Sequence, residues 1–205
     1  MYVGRIVVVG RYQGRSFVGY RVSSRSFPNR RAAVRGSSIL VSPLDSSDLA
    51  KNPYIAYNCI RFCGDAAVVA NGTQADMIAE RIGDGCKPLD AIALSLTAYG
   101  YERDELDTPR IAGAVRGSRG WLGIAARDEI RAREFELQDG QALMVATYEK
   151  TGFEQVELGE SGAISAAAIA RLCYDLPLER PVCAAAALAL SGDGSDYELA
   201  VFNPQ

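Results

Sequence analysis

Hydrophobic and polar residues alternate over short distances along most of this chain, and stretches with helical spacing are few. Gly4–Gly10 (GRIVVVG) and Phe17–Ser23 (FVGYRVS) are short β-branched runs, and Tyr12-Gln13-Gly14-Arg15 between them predicts a hairpin. Ser38–Ser42, Ala66–Ala70, Ile111–Val115, Trp121–Arg127, Arg131–Leu137, Ala142–Tyr148 and Phe153–Leu158 read as further strands bounded by turn residues. Tyr54–Phe62 alternates as well. As a strand it would carry Ile55, Tyr57, Cys59 and Arg61 on one face and Tyr54, Ala56, Asn58, Ile60 and Phe62 on the other. Val182–Leu190 and Tyr197–Phe202 form a closing pair across Ser191–Ser195, although the alanines of the first also suit a helix.

Helical spacing follows Asn71-Gly72-Thr73, where Met77, Ile78 and Ile82 share a face, Thr73 stands at the N-cap and Asp76 lies in the first turn. Pro88–Tyr99 is a second helix with proline at its start and Gly100 after its end. Ser165–Asp175 is a third, capped by Ser161 or Ser165, and Leu44–Ala50 holds one or two helical turns. Arg25–Arg31 is broken by Phe27-Pro28-Asn29 and is expected as irregular backbone at a strand end. Tyr101–Asp107 is acidic and reads as a surface loop. About ten strands and three or four helices predict an α+β fold of mainly antiparallel sheets, two packed face to face with helices outside. Neither a linker nor a repeat interrupts residues 1–205, which implies a single domain.

Composition narrows the chemistry. The chain has 205 residues, 48% of them hydrophobic, enough for one sizeable core. Its longest apolar run, Val182–Leu190, is well short of the roughly 20 residues of a membrane-spanning helix. Arg5, Arg11 and Arg15 interrupt any signal-peptide core, so the expected location is the cytoplasm. The five cysteines are odd in number and irregularly spaced, which predicts free thiols and no metal site. The chain has no histidine, which removes the commonest general base and every Ser-His or Cys-His pairing. Lysine is confined to Lys51, Lys87 and Lys150. An enzyme built from this sequence would use arginine as its electrostatic clamp and a carboxylate as its base.

Charge is segregated. Residues 1–44 carry eight arginines and no acid, whereas the rest carry 14 bases and 25 acids. Tyr20–Arg31 packs four arginines and three serines into twelve residues. Arginine forks and serine hydroxyls are phosphate donors, so this stretch predicts a small phosphorylated ligand, against the plain alternative of a solvated basic loop. A long polyanion is disfavoured by the acidic remainder. The Gly72 corner between strand and helix would also expose backbone N–H groups, although an ordinary capped turn explains it as well.

Four blocks in one order, YRVSSRSFPNR (Tyr20–Arg30), NPYIAYNC (Asn52–Cys59), NGT-x-x-D (Asn71–Asp76) and YERD-x-x-x-TPRI (Tyr101–Ile111), resemble the archaeal-type IMP cyclohydrolases. The opening MYVGRIVVVGR is similar too, and the match loosens beyond Arg116. The resemblance implies a four-layer αββα sandwich like that of N-terminal-nucleophile hydrolases. Met1-Tyr2 supplies no terminal Ser, Thr or Cys for the amide cleavage typical of that fold. It implies dehydrative closure of 5-formamidoimidazole-4-carboxamide ribonucleotide to IMP, with no cofactor, no membrane and no nucleic acid, and it leaves room for a homo-oligomer.

Mapped residue by residue, the family pattern makes Arg30 the cation at the formyl oxygen and Glu102 the proton-transfer group, with Arg31 and Glu105 as rivals. It makes Arg21, Ser23 and Arg25 phosphate or ribose contacts. Tyr57 would stack on or hydrogen-bond the base, and Asn58, Asn71, Gly72 and Thr73 would read its polar edge. Arg110 becomes a pocket candidate, against a simple pairing with Asp107. Cys59 is either a ligand contact or a small buried thiol. The competing functional classes are a nucleotide-binding regulatory module and an amide-cleaving hydrolase.

Overall fold

The computed structural model describes residues 1–51, 53–157 and 164–204. Within them lie thirteen strands and four α-helices. The N-terminal hairpin forms as expected, with β1 (Arg5–Tyr12) and β2 (Arg15–Ser23) in antiparallel register. A second hairpin follows, β3 (Arg30–Arg35) and β4 (Ser38–Pro43), in which Arg30 faces Pro43. Arg30 and Arg31 therefore belong to an edge strand and not to an irregular loop. The hydrophobic pattern missed β3 because only Ala32 and Arg30 of its six residues turn inward. Asn203 clips the open side of this strand: its amide accepts from the Ala32 N–H at 2.9 Å and donates to the Ala32 carbonyl at 3.0 Å.

A single short helical turn, α1 (Asp48–Lys51), and a 3-10 turn at Pro53–Ile55 lead into β5 (Tyr57–Cys63). Tyr54 and Ile55 thus stand before the strand. The pairing of β4 with β5 shifts by one residue between Ile39 and Leu40, which places a bulge at Cys59. The bulge reverses the strand's phase. Ile60 and Phe62 join Tyr57 and Cys59 in the inter-sheet core. Arg61 instead joins Asn58 on the opposite side, where both bind Asp76.

Next come β6 (Ala66–Ala70), α2 (Gln74–Gly83), α3 (Pro88–Tyr99), and the meander β7 (Arg110–Arg116), β8 (Arg119–Ala125) and β9 (Ile130–Glu136). The chain closes with β10 (Ala142–Ala146), the two-residue β11 (Glu154–Gln155), α4 (Ala166–Asp175), β12 (Pro181–Ala189) and β13 (Tyr197–Phe202). Ser165 caps α4 by accepting from the Ala168 N–H at 3.1 Å. The alternative cap Ser161, the end of the strand expected over 153–158, and Asn52 of the second sequence block lie outside the described residues.

Among the described residues all strand pairing is antiparallel. One sheet runs β11-β10-β1-β2-β12-β13 and the other β3-β4-β5-β6-β7-β8-β9. Val7, Val9, Val18, Tyr20 and Val22 of the first sheet meet Val41, Tyr57, Ile60, Val69 and Ile111 of the second in the central core. Helix α4 covers the outer face of the first sheet, and α2 with α3 covers that of the second. The alanines of β12 form a strand because both faces are buried, one by the opposing sheet and one by α4. Small residues bring that helix close: a Cβ on Gly19 would lie 2.6 Å from the Cys173 sulfur. Among the described residues no helix is long and apolar enough to cross a membrane.

A candidate active site at one end of the sandwich

The N-terminal end of β1, the start of β3 and the loop before β7 converge on a cleft. Arg5, Arg30, Glu102, Thr108 and Tyr148 line it, with Ser24, Ser26 and Phe27 from the basic segment. Arg30 is 6% exposed. Its Nε donates to the Phe27 carbonyl at 3.0 Å, which anchors the base of the guanidinium. Arg31, next along the same strand, points to solvent.

Glu102 corrects the reading of its segment as a surface loop. It is 2% exposed, while Glu105 beside it is exposed. The turn folds it inward. Asp104 accepts from the Thr108 N–H and hydroxyl, and the Glu102 N–H donates to the Thr108 carbonyl at 2.8 Å. The carboxylate has two unequal oxygens. Oε2 accepts from Arg5 Nη2 at 2.9 Å. Oε1 stands 3.7 Å from Arg110 Nη1 and has no hydrogen-bond partner in the protein. Burial raises the Glu102 pKa above the ordinary carboxylate range, and Arg5, Arg110 and Arg30 act against that rise.

Arg110 sits behind the carboxylate. Its Nη1 donates to Gln74 Oε1 at 2.9 Å, and its guanidinium lies over the rings of Tyr99 and Tyr54. Asn71 fixes the same corner by accepting from the Ile111 N–H and Gln74 and donating to the Pro109 carbonyl. Gly72 leaves room for it: a Cβ there would fall 2.5 Å from Arg110 Nη1. Asn71 and Gly72 therefore act on the scaffold behind Glu102, where the sequence suggested contacts to a base edge. Thr73 is exposed and its side chain makes no cap hydrogen bond. Asn58 turns toward α2 and donates to Asp76.

Tyr57 lies beneath the cleft, its hydroxyl 2.7 Å from that of Tyr20. Burial raises its pKa, and Arg30 and Arg5 oppose the rise. Cys59 is wholly enclosed between the sheets, and burial pushes its thiol well up, which makes it a small core residue and not a ligand contact. Arg25 is not among the residues lining the cleft; it lies 4.1 Å over the Tyr2 ring, which in turn stacks on Tyr148, and pairs with Glu179 at 3.4 Å.

Arg21 and Ser23 depart furthest from the expectation. Alternation along β2 turns both away from the cleft, toward α4. Arg21 is fully buried there, and its donors go to the carbonyls of Leu176, Leu178 and Glu179 and to Ser23 Oγ. Neither side chain is left to hold a phosphate.

Arg5 is the site residue that sequence reasoning passed over. Its signal was an arginine opening an otherwise apolar strand, directly behind a glycine. Gly4 has φ +69°, and a Cβ on it would lie 2.2 Å from Thr147 Oγ1. Thr147 accepts from the Arg5 N–H at 3.2 Å and donates to the Val3 carbonyl at 3.1 Å. Among the described residues no cluster of carboxylates and thiols is arranged to hold a metal ion.

The family model described as "IMP cyclohydrolase-like protein" matches residues 2–193. A protein of Methanothrix thermoacetophila named IMP cyclohydrolase is 64% identical over 205 residues, covering the whole of both chains. One of Methanocella arvoryzae with the same name is 48% identical over 99% of this chain and 98% of its own. Another, of Thermococcus kodakarensis, is 42% identical over 89% of this chain and 90% of its own. With a family match across nearly its full length and relatives this similar end to end, the chain belongs to the IMP cyclohydrolase-like family.

Proposed function

We infer that this chain is an IMP cyclohydrolase, closing the second ring of the purine by joining the formamido and carboxamide arms of one ribonucleotide with loss of water. A buried, half-satisfied carboxylate sharing a cleft with a buried arginine carries this reading. Both reacting groups belong to one molecule, so little translational entropy has to be lost. The carboxamide nitrogen attacks the formyl carbon, a C–N bond forms, and that nitrogen gives up one proton. The formyl oxygen takes on the negative charge. It then departs as water while the former formamide nitrogen loses its proton, which leaves the aromatic ring.

Glu102 is the acceptor for the first proton, its carboxylate held in the cleft wall by Arg5. A carboxyl group raised by burial is a stronger base than one in water, and proton transfer of this kind contributes about 10²–10⁴ in rate. Arg30 stabilises the developing oxyanion, a contribution of roughly 10²–10³. Ser24 and Ser26 in the cleft wall suit the phosphate, with Arg25 over the neighbouring Tyr2 ring. Two antiparallel sheets between helical layers support reading the fold as N-terminal-nucleophile-hydrolase-like, with a cytoplasmic mononucleotide as the partner. Glu102→Gln should lower turnover of the formylated ribonucleotide by about 10² or more while IMP binding persists. Full activity in that variant would remove Glu102 from the reaction and favour a nucleotide-binding module or another base.

A further inference from the structure

We propose that Arg5 is the positioning residue of this site: its direct bond to one oxygen of Glu102 fixes the carboxylate in the wall of the cleft, and its charge keeps that carboxylate ionised. The inference rests on the proposed role of Glu102 and adds a residue to it. Three arginines act on Glu102, and they are not equivalent. Arg5 from β1 is the one within direct hydrogen-bonding distance, at 2.9 Å to Oε2. Arg110 from β7 is 3.7 Å from Oε1 and gives its Nη1 hydrogen bond to Gln74. Arg30 from β3 is anchored on Phe27 and is the weakest of the three charges on Glu102. On the loop itself Asp104 acts in the opposite sense, against ionisation.

Arg5 is built to stay in place. Its N–H is held by Thr147, its carbonyl accepts from the Thr147 N–H at 3.1 Å, and Gly4 gives the backbone a left-handed turn that leaves the wall no space for a side chain. The hydroxyls of Tyr20, Tyr57 and Tyr148 act on its charge. Burial opposes the charge of Arg5, but Glu102 and these hydroxyls hold its pKa above the ordinary value. A carboxylate in so dry a place, without Arg5, would keep its proton at higher pH. It would also lose the hydrogen bond that holds it in place.

The test is the pH profile of kcat/KM in the full-length protein. Activity falls at low pH as Glu102 takes up a proton. Arg5→Met should move that acid limb upward by about 1–2 pH units and lower kcat more than it raises KM. Arg5→Lys keeps the charge but not the planar fork, and should leave the limb near its wild-type position with kcat lowered by about 10-fold. A folded Arg5→Met with an unmoved limb would overturn the proposal. Should that variant fail to fold, Arg5→Lys decides alone: wild-type kcat would show that the fork positions nothing. Glu102→Gln separates the two levels. Full activity there defeats the base assignment itself, whereas an inactive Glu102→Gln beside an unmoved Arg5→Met limb defeats only the role of Arg5.

Discussion

Arg21 and Arg30 are nine residues apart in one basic stretch, and both are buried, yet they serve different ends of the molecule's chemistry. Arg21 lies under the C-terminal end of α4, where it spends its donors on three carbonyls and a serine. Those carbonyls belong to the negative end of the helix and the loop after it, so a buried cation is welcome there. Arg30 gives a hydrogen bond from Nε to the backbone and lines a cleft that also holds a carboxylate with one unbonded oxygen. Burial of an arginine therefore says little about function. What distinguishes the two is how much of the guanidinium the protein has already used.

The comparison can be broken first at Arg30. Arg30→Met should lower kcat by about 10²–10³ with little change in melting temperature; a variant that melts early at full specific activity would make it a second Arg21. Arg21→Leu should do the reverse. It leaves several buried carbonyls without donors, at a cost of about 3 kcal/mol, or roughly 10 °C in Tm for a chain of this size. Its kcat/KM per folded molecule should be unchanged, and a selective rise in KM would return Arg21 to the ligand. The helix that Arg21 closes offers a finer contrast at N-termini. Ser165→Ala should cost about 1 kcal/mol in urea unfolding, because a cap bond is lost. Thr73→Ala at the start of α2, where the side chain makes no such bond, should stay within about 0.5 kcal/mol.

Much of the fold was legible because hairpins announce themselves locally. Alternation and turn residues place β1, β2, β6, β7, β8 and β13 within a residue or two of where they lie. Strand β3 was hidden by its polarity: an edge strand with arginines at both ends has almost no hydrophobic face to show. The β5 bulge was hidden because one inserted residue flips every later side chain, and Cys59 looks like any other member of the strand.

The site was legible in kind, an arginine and a carboxylate without histidine, but not in geometry. Tyr101–Asp107 has the composition of a solvated loop, and nothing local says that Thr108 folds Glu102 inward. Arg21 was misread for a related reason. Its carbonyl partners are 155 residues or more away in sequence, so only tertiary structure shows that its charge is already claimed. The Arg5–Glu102 pair spans 97 residues and was equally invisible.

The amide of Asn203 meets both polar groups of Ala32, two positions beyond Arg30. For one residue it imitates a neighbouring strand. An exposed sheet edge invites annexation by a foreign chain, the first step of edge-to-edge aggregation. Here that route is shut close to where the clamp residue is anchored, and Asn203 serves as a bookend for the active-site strand.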